Sequence, residues 1–313
     1  DPVLQALLTK GQGFDDADRQ ALLGAIRETC ARVIPAYKAA AAAGRVELTT
    51  TPYYHPILPL LCDLTSARVA RPDLPLPAEP FARPGDAAAQ VRKGLDAFAG
   101  HFGGRPAGMW PSEQSVSPAA LALLAEQGLQ WTISDEGVLG HTIGRRFERD
   151  GYGVTPDAAL LYQPWRVHTT SGPIAMVYRD VVLSDLIGFT YAQMPADAAA
   201  ADLHGRLERI RRLLPDGEAY LVTIALDGEN CWEQYQRDGG PFLHAFHQRM
   251  AANPALHMVT VAEHLAAHPP RRELTTIHAS SWIASDFTTQ PRDATKNLAW
   301  DALARARTAL DDA

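Results

Sequence analysis

Two carboxylates in this chain stand where they could do chemistry. Glu113 lies in the stretch "GMWPSEQSVS" at residues 108–117, between a segment that predicts a strand and one that predicts a helix. Asp227 directly follows the apolar segment "LVTIAL" at residues 221–226. Hydrolysis of a glycosidic bond requires two carboxyl groups on opposite sides of the anomeric carbon, one as nucleophile or base and the other as proton donor. The two acids are far apart in the sequence, so only the fold can bring them together.

Polar groups also follow other predicted strands, which is where parallel α/β folds gather their reactive side chains. Four stretches show this pattern: "TTPYYHP" at 50–56, "WPSE" at 110–113, "SDEG" at 134–137 and "LDGENCWE" at 226–233. Trp110 and Trp232 stand beside the two acids and would offer flat apolar faces to sugar rings. Low local polarity of this kind raises the pKa of a proton donor towards neutral. The pattern favours catalysis on a carbohydrate.

Each of these residues also has a structural alternative. Glu113 could favour the dipole of the helix that follows it. Asp227 could be a turn aspartate, with Glu229 as a rival for the role of acid. His55 could be a core histidine bonded to the backbone, and large aromatics are most often core residues. The residues taken alone leave these alternatives open.

Strand-like and helix-like segments alternate along the chain and must position these groups. The apolar pattern predicts strands at 45–51, 106–110, 130–137, 173–180 and 219–230. Apolar residues at helical spacing predict helices at 15–43, 91–102, 117–128, 197–214 and 241–252, and from residue 297 onwards. Ser117 is the predicted N-cap of its helix and Gly128 its C-terminal stop. This alternation favours an α/β fold with a mostly parallel sheet.

Composition argues against several classes of protein. The chain has 313 residues, 46% of them hydrophobic and 21% charged, and its net charge of −7 disfavours a nucleic-acid or anionic-membrane surface. No apolar run approaches the roughly 18 residues of a membrane span. Cys30, Cys62 and Cys231 are far apart and lack metal-ligand spacing, which predicts a reducing, cytoplasmic location. The histidines show no ligand spacing either, so the sequence predicts no metal and no cofactor.

Four stretches, in this order, resemble the motifs of glycoside hydrolase family 57, the α-glucan-active retaining enzymes. "GRVELTTTPYYHPILPLL" at 44–61 is similar to the family's second motif, and "GMWPSEQSVS" to the third, which carries the nucleophile. "LDGENCWE" resembles the fourth, which carries the general acid/base, and "IHASSWIASDF" at 277–287 the fifth, which contributes to substrate binding. "YRDVVLSDLIGFTY" at 178–191 also resembles the family. The resemblance covers nearly the whole chain.

The resemblance implies a fold and a division of the chain. The expected fold is α/β, a distorted, incomplete (β/α)7-type barrel with a C-terminal helical region. Residues 1–270 would form the catalytic barrel domain and residues 271–313 a helical segment packed on it. The family's first motif, a His-Gln-Pro, has no counterpart here, which predicts that the first strand is missing. "FTTQPRD" at 287–293 also departs from the family, in which a tryptophan followed by Ile-Gly is usual.

The resemblance also implies roles for individual residues. Glu113 would be the nucleophile that forms a β-glycosyl ester, and Asp227 the general acid/base, with the two carboxyls about 5–5.5 Å apart. His55 would bond sugar hydroxyls at the donor subsite. The other predicted substrate-binding or rim residues are Trp110, Asp135, Glu136, Arg179, Asp180, Glu229, Trp232, Trp282 and Asp286. Arg179 and Asp180 could instead form a structural ion pair.

The leading hypothesis is an amylase-type retaining hydrolase of α-1,4 or α-1,6 glucans, with an α-glucan as partner and no nucleic acid or membrane. A 4-α-glucanotransferase or a branching enzyme would use the same site and differ in how it excludes water and positions an acceptor sugar. A non-catalytic or weakly active glucan-binding module is the alternative that the absent first motif favours. A metal-dependent deacetylase or α-mannosidase would need Asp/His ligand sets that the strand ends do not supply. The sequence does not indicate the linkage, the chain-length preference or the oligomeric state.

Overall fold

A computed structural model describes residues 1–229 and 231–312 as a mixed α/β fold rich in helix. The described strands are β1 (Gly108–Met109), β2 (Trp131–Asp135), β3 (Trp165–Thr169), β4 (Gly172–Arg179) and β5 (Arg272–Leu274). The described α-helices are α1 (Pro2–Lys10), α2 (Asp16–Ala42), α3 (Leu58–Cys62), α4 (Ala67–Ala70), α5 (Pro84–Phe102), α6 (Pro118–Glu126), α7 (Glu136–Ile143), α8 (Ala158–Leu161), α9 (Val181–Asp185), α10 (Ala196–Leu213), α11 (Gly240–Ala252), α12 (Val261–Ala267) and α13 (Ala294–Asp311). None of the helices in this part of the chain combines the length and the apolar character needed to cross a membrane.

The strands form one sheet in the order β1-β2-β4-β3-β5. β1, β2 and β4 run parallel, and Asp135 at the end of β2 lies opposite Arg179 at the end of β4. β3 pairs antiparallel with β4, and β5 pairs parallel with β3. Single parallel bridges, from Thr50 to Met109 and from Thr223 to Arg179, continue the parallel series on both sides. The carboxyl ends of five parallel segments therefore meet at one edge of the sheet.

Two of the predicted strands are present only as bridges. Residues 45–51 pair with β1 through Thr50, and the described part of 219–230 pairs with β4 through Thr223. The second case follows from β3, which pairs with residues 172–176 of β4 and leaves the last residues of β4 for another neighbour. Strands β3 and β5 lie outside the predicted strands. The α/β class is thus confirmed, whereas the distorted, incomplete (β/α)7-type barrel stays a prediction.

The helices follow the sequence pattern more closely than the strands do. The predicted helices correspond to α2, α5, α6, α10, α11 and α13. At the start of α6, Ser117 Oγ accepts a hydrogen bond from the Ala120 amide at 3.2 Å. Beyond the end of this helix, Gly128 has a φ of 79°, a left-handed conformation that glycine adopts without strain. Local capping chemistry thus set these boundaries, and it was visible in the sequence.

The sheet is buried on both faces. Met176 and Tyr178 of β4 join the largest hydrophobic cluster, which includes side chains of α5, α6 and α10. Ile133 of β2 and Val177 of β4 point the other way, into a smaller cluster with Ala225. Successive residues of a strand face opposite sides of a sheet. The same alternation decides where the charged residues at the strand ends point.

Candidate active site

A cavity of about 330 Å³ lies at the edge of the sheet where the parallel segments end. Glu113, which follows β1, and Asp227, which follows the bridge at Thr223, both line it. The other lining residues are Asp135, Arg179, Val181, Ser184, Asp185, Gly188, Phe189, Leu226, Cys231, Trp282 and Ile283. The fold therefore brings the two predicted catalytic acids to one cavity despite their distance in the sequence.

The backbone at Glu113 is held in a strained conformation. Glu113 and Gln114 have φ values of 56° and 47°, in the left-handed region that is uncommon outside glycine. A distant part of the chain fixes this turn. Val116 and Ser280 exchange two backbone hydrogen bonds, of 2.9 and 3.1 Å, and the Trp282 amide donates to the Glu113 carbonyl at 3.0 Å. These contacts keep the Glu113 side chain turned towards the cavity.

Both carboxylate oxygens of Glu113 have partners. His55 Nε2 lies 3.2 Å from Oε1, and Trp282 Nε1 donates a hydrogen bond to Oε2 at 2.7 Å. The loop that carries His55 is attached to α5, because the Gln90 carbonyl accepts a hydrogen bond from the Tyr53 amide at 3.1 Å. The Glu113 side chain is 29% exposed and is therefore accessible from the cavity. A carboxylate held from two sides has the fixed orientation that a nucleophile requires.

The indole of Trp282 is itself fixed from two directions. The Trp110 ring meets it edge-on, with centroids 5.4 Å apart and an interplanar angle of 89°. The Arg179 guanidinium lies over its face, 4.8 Å from the ring centroid, in a cation–π contact. Trp110 is not among the residues that line the cavity, so it acts on the site through Trp282.

Arg179 belongs to a group of charged side chains in the cavity wall, Asp135, Arg179 and Asp185, which we call the cavity cluster. Arg179 Nη2 donates to Asp185 Oδ1, and Arg179 Nε lies 4.0 Å from Asp135 Oδ2, beyond hydrogen-bond distance. Asp135 Oδ1 caps α7 by accepting from the Gly137 amide at 2.8 Å. Asp135 Oδ2 and Arg179 Nε are buried and have no hydrogen-bond partner within the described part of the chain. Burial raises the pKa of Asp135 to about 7, so near neutrality this acid can donate or accept a hydrogen bond from a ligand hydroxyl.

Asp227 belongs to another part of the cavity wall and lies in a loop rather than at the end of a regular strand. The Cys231 thiol donates to the Asp227 carbonyl at 3.4 Å, and Cys231 also lines the cavity. Just before the acid, the Ala225 amide donates to Ser184 Oγ at 3.1 Å. This wall is therefore joined to α9, which directly follows β4.

Glu136 and Asp180 are buried beside the cavity and do not line it. Together with Arg149 and Tyr162 they form what we call the buried cluster. Arg149 donates to Glu136 Oε2 and, at 2.8 Å, to Asp180 Oδ2, which also accepts from the Tyr162 hydroxyl at 2.5 Å. Glu136 Oε2 further accepts from the Val181 amide at 3.0 Å. These two predicted site residues hold the start of α9 in place, and no sequence pattern pointed to Arg149.

Four other predicted binding residues lie outside the cavity lining: His55, which contacts Glu113 as described above, Glu229, Trp232 and Asp286. Trp232 packs on Gly239, where a Cβ atom would come within 2.4 Å of the indole, so its ring belongs to an aromatic cluster. Glu229 is exposed. Asp286 is buried, and its Oδ1 accepts from both the amide and the hydroxyl of Thr288 at 2.8 Å. Trp232 and Asp286 thus contact other parts of the protein close to the site, and their role in substrate binding stays a prediction.

Several cavity residues were not predicted as site residues from the sequence, among them three that follow β4. Ser184, Asp185 and Phe189 follow β4 and lie in the stretch "YRDVVLSDLIGFTY". Its resemblance to the family was the available signal, but nothing in the stretch indicated which side chains face the cavity. Ser184 and Asp185 lie in α9, and Phe189 lies in the π-helical turn Leu186–Thr190 that follows it.

No metal site is evident in residues 1–229 and 231–312, because these contain no group of three or more His, Cys, Asp or Glu side chains that could hold an ion. The stacked rings of His141 and His278, 4.8 Å apart, form a pair only. The absence of a metal or cofactor from the reaction stays a prediction.

Sequence comparison gives one family. The sequence profile of glycosyl hydrolase family 57 matches residues 13–278. A comparison with curated proteins found no match.

Solved structures with a similar fold come from the same family and from other glucan-active proteins. The branching enzyme of Pyrococcus horikoshii, described as of this family's type, has a TM-score of 0.65 at 14% identity and covers 96% of this chain. The branching enzyme of Thermococcus kodakaraensis has a TM-score of 0.63 at 15% identity over 97%, and an α-amylase of Thermotoga maritima 0.62 at 16% over 90%. The matched regions span 61%, 63% and 61% of those three chains, respectively. At these identities the likeness concerns the fold.

Proposed function

Because the chain belongs to glycosyl hydrolase family 57, we propose that it is a retaining enzyme that acts on α-1,4 or α-1,6 glucans by double displacement, with amylase-type hydrolysis as its reaction. The observation that carries this proposal is the single cavity lined by both Glu113 and Asp227. The substrate class rests on the fold neighbours, which are named as an α-amylase and branching enzymes.

In the first step, Glu113 attacks the anomeric carbon while Asp227 donates a proton to the glycosidic oxygen. The bond between that carbon and that oxygen breaks, a β-glycosyl ester of Glu113 forms, and the leaving sugar departs with the proton. The hydrogen bonds from Trp282 and His55 support this role because they fix the direction of the Glu113 carboxylate before attack.

In the second step, Asp227 removes a proton from water, whose oxygen attacks the anomeric carbon. The ester bond breaks, Glu113 is released as a carboxylate, and the product keeps the configuration of the substrate. An acceptor sugar in place of water gives transfer instead of hydrolysis. A separation of about 5–5.5 Å between the two carboxyls is the geometry that this mechanism requires.

We also propose the finer architecture that the family implies, a distorted (β/α)7-type barrel. The small cluster of Trp131, Ile133, Ala175, Val177 and Ala225 would be its interior. The bridges at Thr50 and Thr223 support this view, since they extend the parallel series beyond the regular strands. Helix α13 would form the C-terminal region packed outside the barrel, where Trp300 contacts Phe81. β5 and residues 277–287 belong with the sheet and the cavity, so the division proposed at residue 271 would move to the stretch before α13.

The direct test is the release of reducing ends from soluble α-1,4 glucan by the chain and by its Glu113→Gln variant. Proton NMR of the first-formed product then reports its anomeric configuration, and retention requires the α anomer. Oligosaccharides longer than the substrate would indicate a 4-α-glucanotransferase, and new α-1,6 linkages a branching enzyme. Glucan binding without turnover would contradict catalysis and favour a binding module.

A further inference from the structure

Phe189 is an exposed aromatic side chain in the cavity wall. It lines the cavity and is 77% exposed, whereas Trp282, the other aromatic in the lining, is half-buried. An apolar ring open to water at the rim of a binding cavity loses that water when a ligand covers it, which favours binding. Its position therefore suits contact with substrate better than a role in the core.

The turn that carries Phe189 is anchored on both sides. Leu186–Thr190 forms a π-helical turn, a conformation that is rare and often found at functional sites. Ile187 is buried within this turn, and its carbonyl accepts a hydrogen bond from the Tyr235 hydroxyl at 2.6 Å. Tyr191, directly after the turn, is buried as well. The exposed ring is thus held by buried neighbours on each side of it.

The space beside the ring is open. Gly188 precedes Phe189 and also lines the cavity, and a Cβ atom built on it would meet nothing within 4 Å. A flat apolar face next to open space matches the apolar face of a pyranose ring. The glycine removes the side chain that would otherwise compete for this position.

Phe189 lies on the Asp227 side of the cavity. Along the sheet edge, Glu113 follows β1, while the Phe189 turn follows β4, whose end is bridged to the segment leading to Asp227. The link between these two walls includes the hydrogen bonds from the Asp180 amide to the Thr223 carbonyl, at 2.9 Å, and from the Ala225 amide to Ser184 Oγ. The proton donor of a glycosidase stands next to the leaving group, so the sugar nearest Phe189 is the one that departs or accepts.

We propose that Phe189 is the stacking platform for the sugar on the leaving-group and acceptor side, and that it thereby sets the ratio of glycosyl transfer to hydrolysis. This inference rests on the proposed function. An acceptor sugar stacked on Phe189 holds a hydroxyl beside Asp227. That hydroxyl gives its proton to Asp227 as its oxygen bonds to the anomeric carbon and the ester bond to Glu113 breaks. Without the platform, water takes the place of the sugar.

Two glycosyl donors, one with a sugar and one with fluoride as its leaving group, distinguish this role of Phe189 from a role on the donor side or in the fold. Maltoheptaose needs sugar subsites on both sides of the cleaved bond, whereas the leaving group of α-maltotriosyl fluoride occupies no sugar subsite. We expect Phe189→Ala to lower kcat/KM for maltoheptaose about tenfold, and kcat/KM for fluoride release by at most about twofold. Phe189→Ala should also lower the ratio of transfer to hydrolysis. Phe189→Tyr, which keeps the ring, should have wild-type values of both this ratio and the kcat/KM for maltoheptaose. Phe14→Ala, a matched change at another exposed phenylalanine, controls for loss of surface area.

An equal loss with both donors would overturn the proposal, because it would indicate an effect on the donor side or on the fold, and so would no loss with either. Titration of maltoheptaose into Glu113→Gln and into Glu113→Gln/Phe189→Ala separates this inference from the proposed catalysis. A roughly tenfold weaker Kd in the double variant supports the platform even if the wild-type chain turns over neither donor. Equal affinity in the two variants, or binding in neither, would refute it.

Discussion

Two charged clusters lie on opposite sides of the sheet at the ends of β2 and β4, and they differ in what their side chains contact. Asp135 and Arg179 end these strands and belong to the cavity cluster, whereas Glu136 and Asp180, the next residues along the chain, belong to the buried cluster. Successive residues at a strand end leave on opposite sides of the sheet. One step along the backbone therefore separates a side chain that meets the cavity from one that supports the fold.

The two clusters also differ in how their polar atoms are satisfied. In the buried cluster, Asp180 Oδ2 accepts from Arg149 and Tyr162, and Oδ1 accepts from the Leu183 amide at 2.8 Å. In the cavity cluster, Asp135 Oδ2 and Arg179 Nε face each other across 4.0 Å without a bond between them. A satisfied buried network supports the native state, while unsatisfied buried atoms reduce its stability and stay available to a ligand. The comparison teaches that the Asp180 carboxylate of one cluster is satisfied within the fold, whereas the other cluster leaves polar atoms available to a ligand.

The largest effect should come from Glu113, which Trp282 and His55 orient beside the cavity cluster. Glu113→Gln removes the attacking carboxylate while keeping the hydrogen-bond acceptor for Trp282, so we expect kcat to fall by at least about 10³-fold with the melting temperature nearly unchanged. Release of reducing ends and thermal denaturation measure the two quantities. Glu126→Gln, the same change on the exposed face of α6, should alter neither. Substantial turnover by Glu113→Gln would show that another residue attacks.

The buried cluster should account for the largest loss of stability. Asp180→Ala leaves Arg149 with one carboxylate partner and the Tyr162 hydroxyl without its acceptor, so we expect the free energy of unfolding to fall by about 3–5 kcal/mol. Asp185→Ala removes the half-exposed partner of Arg179 in the cavity cluster. This change should lower the free energy of unfolding by less than about 1 kcal/mol. Urea denaturation of both variants provides the comparison. Similar losses in the two would mean that the clusters do not divide stability and binding between them.

The next prediction concerns the pH dependence that Asp135 gives to the cavity cluster. Burial raises the pKa of Asp135 to about 7, from near 3.8 in the unfolded chain, so the folded state binds this proton more tightly. The stability that the neutral acid contributes is complete below about pH 4 and is lost as the pH rises through 7. Asp135→Asn keeps the cap to Gly137 but cannot ionise. Relative to wild type it should therefore gain about 2–4 kcal/mol of stability between pH 4 and pH 8.

The measurement is the free energy of unfolding of both proteins in urea at several pH values. Carboxylates distant from Asp135 titrate alike in both proteins and cancel in the difference. A difference that does not change with pH would indicate that Asp135 is ionised throughout, with Arg179 as a full partner.

The sequence was informative wherever local chemistry decides the outcome. Ser117 and Gly128 delimit α6 as predicted, because a cap and a left-handed glycine act within one helical turn. Reasoning from strand ends led to Glu113, Asp135 and Asp227, because the parallel sheet gathers its carboxyl ends at one edge. The family resemblance added Arg179. The position of Glu113 depends on the strained turn together with the distant Trp282 segment.

The sequence was uninformative where a shift of one residue along a strand decides which side chain faces the cavity. Whether Asp135 or Glu136 faces the cavity depends on where β2 ends and α7 begins, and the predicted strand ran on to residue 137. Trp232 was predicted to bind sugar, but its contact with Gly239 depends on how residues 232–239 fold. Arg149 lies in an irregular loop, where a half-buried arginine has no distinguishing sequence pattern. These outcomes depend on tertiary packing, which local pattern does not carry.

The smallest predicted effects come from replacing arginine by lysine in each cluster, in two separate variants. Arg179→Lys removes the planar group that lies on Trp282 and loosens the indole that holds Glu113, so we expect kcat to fall about tenfold with KM within about twofold. Its stability should change by less than about 1 kcal/mol, because Arg179 Nε is already unpartnered.

Arg149→Lys loses the planar guanidinium that joins two buried carboxylates and should lower the free energy of unfolding by about 1–3 kcal/mol. Its kcat, measured well below its melting temperature, should stay within about twofold of wild type. If Arg149→Lys lowered kcat as much as Arg179→Lys did, the buried cluster would contribute to the reaction through α9, and the division between binding and support would fail.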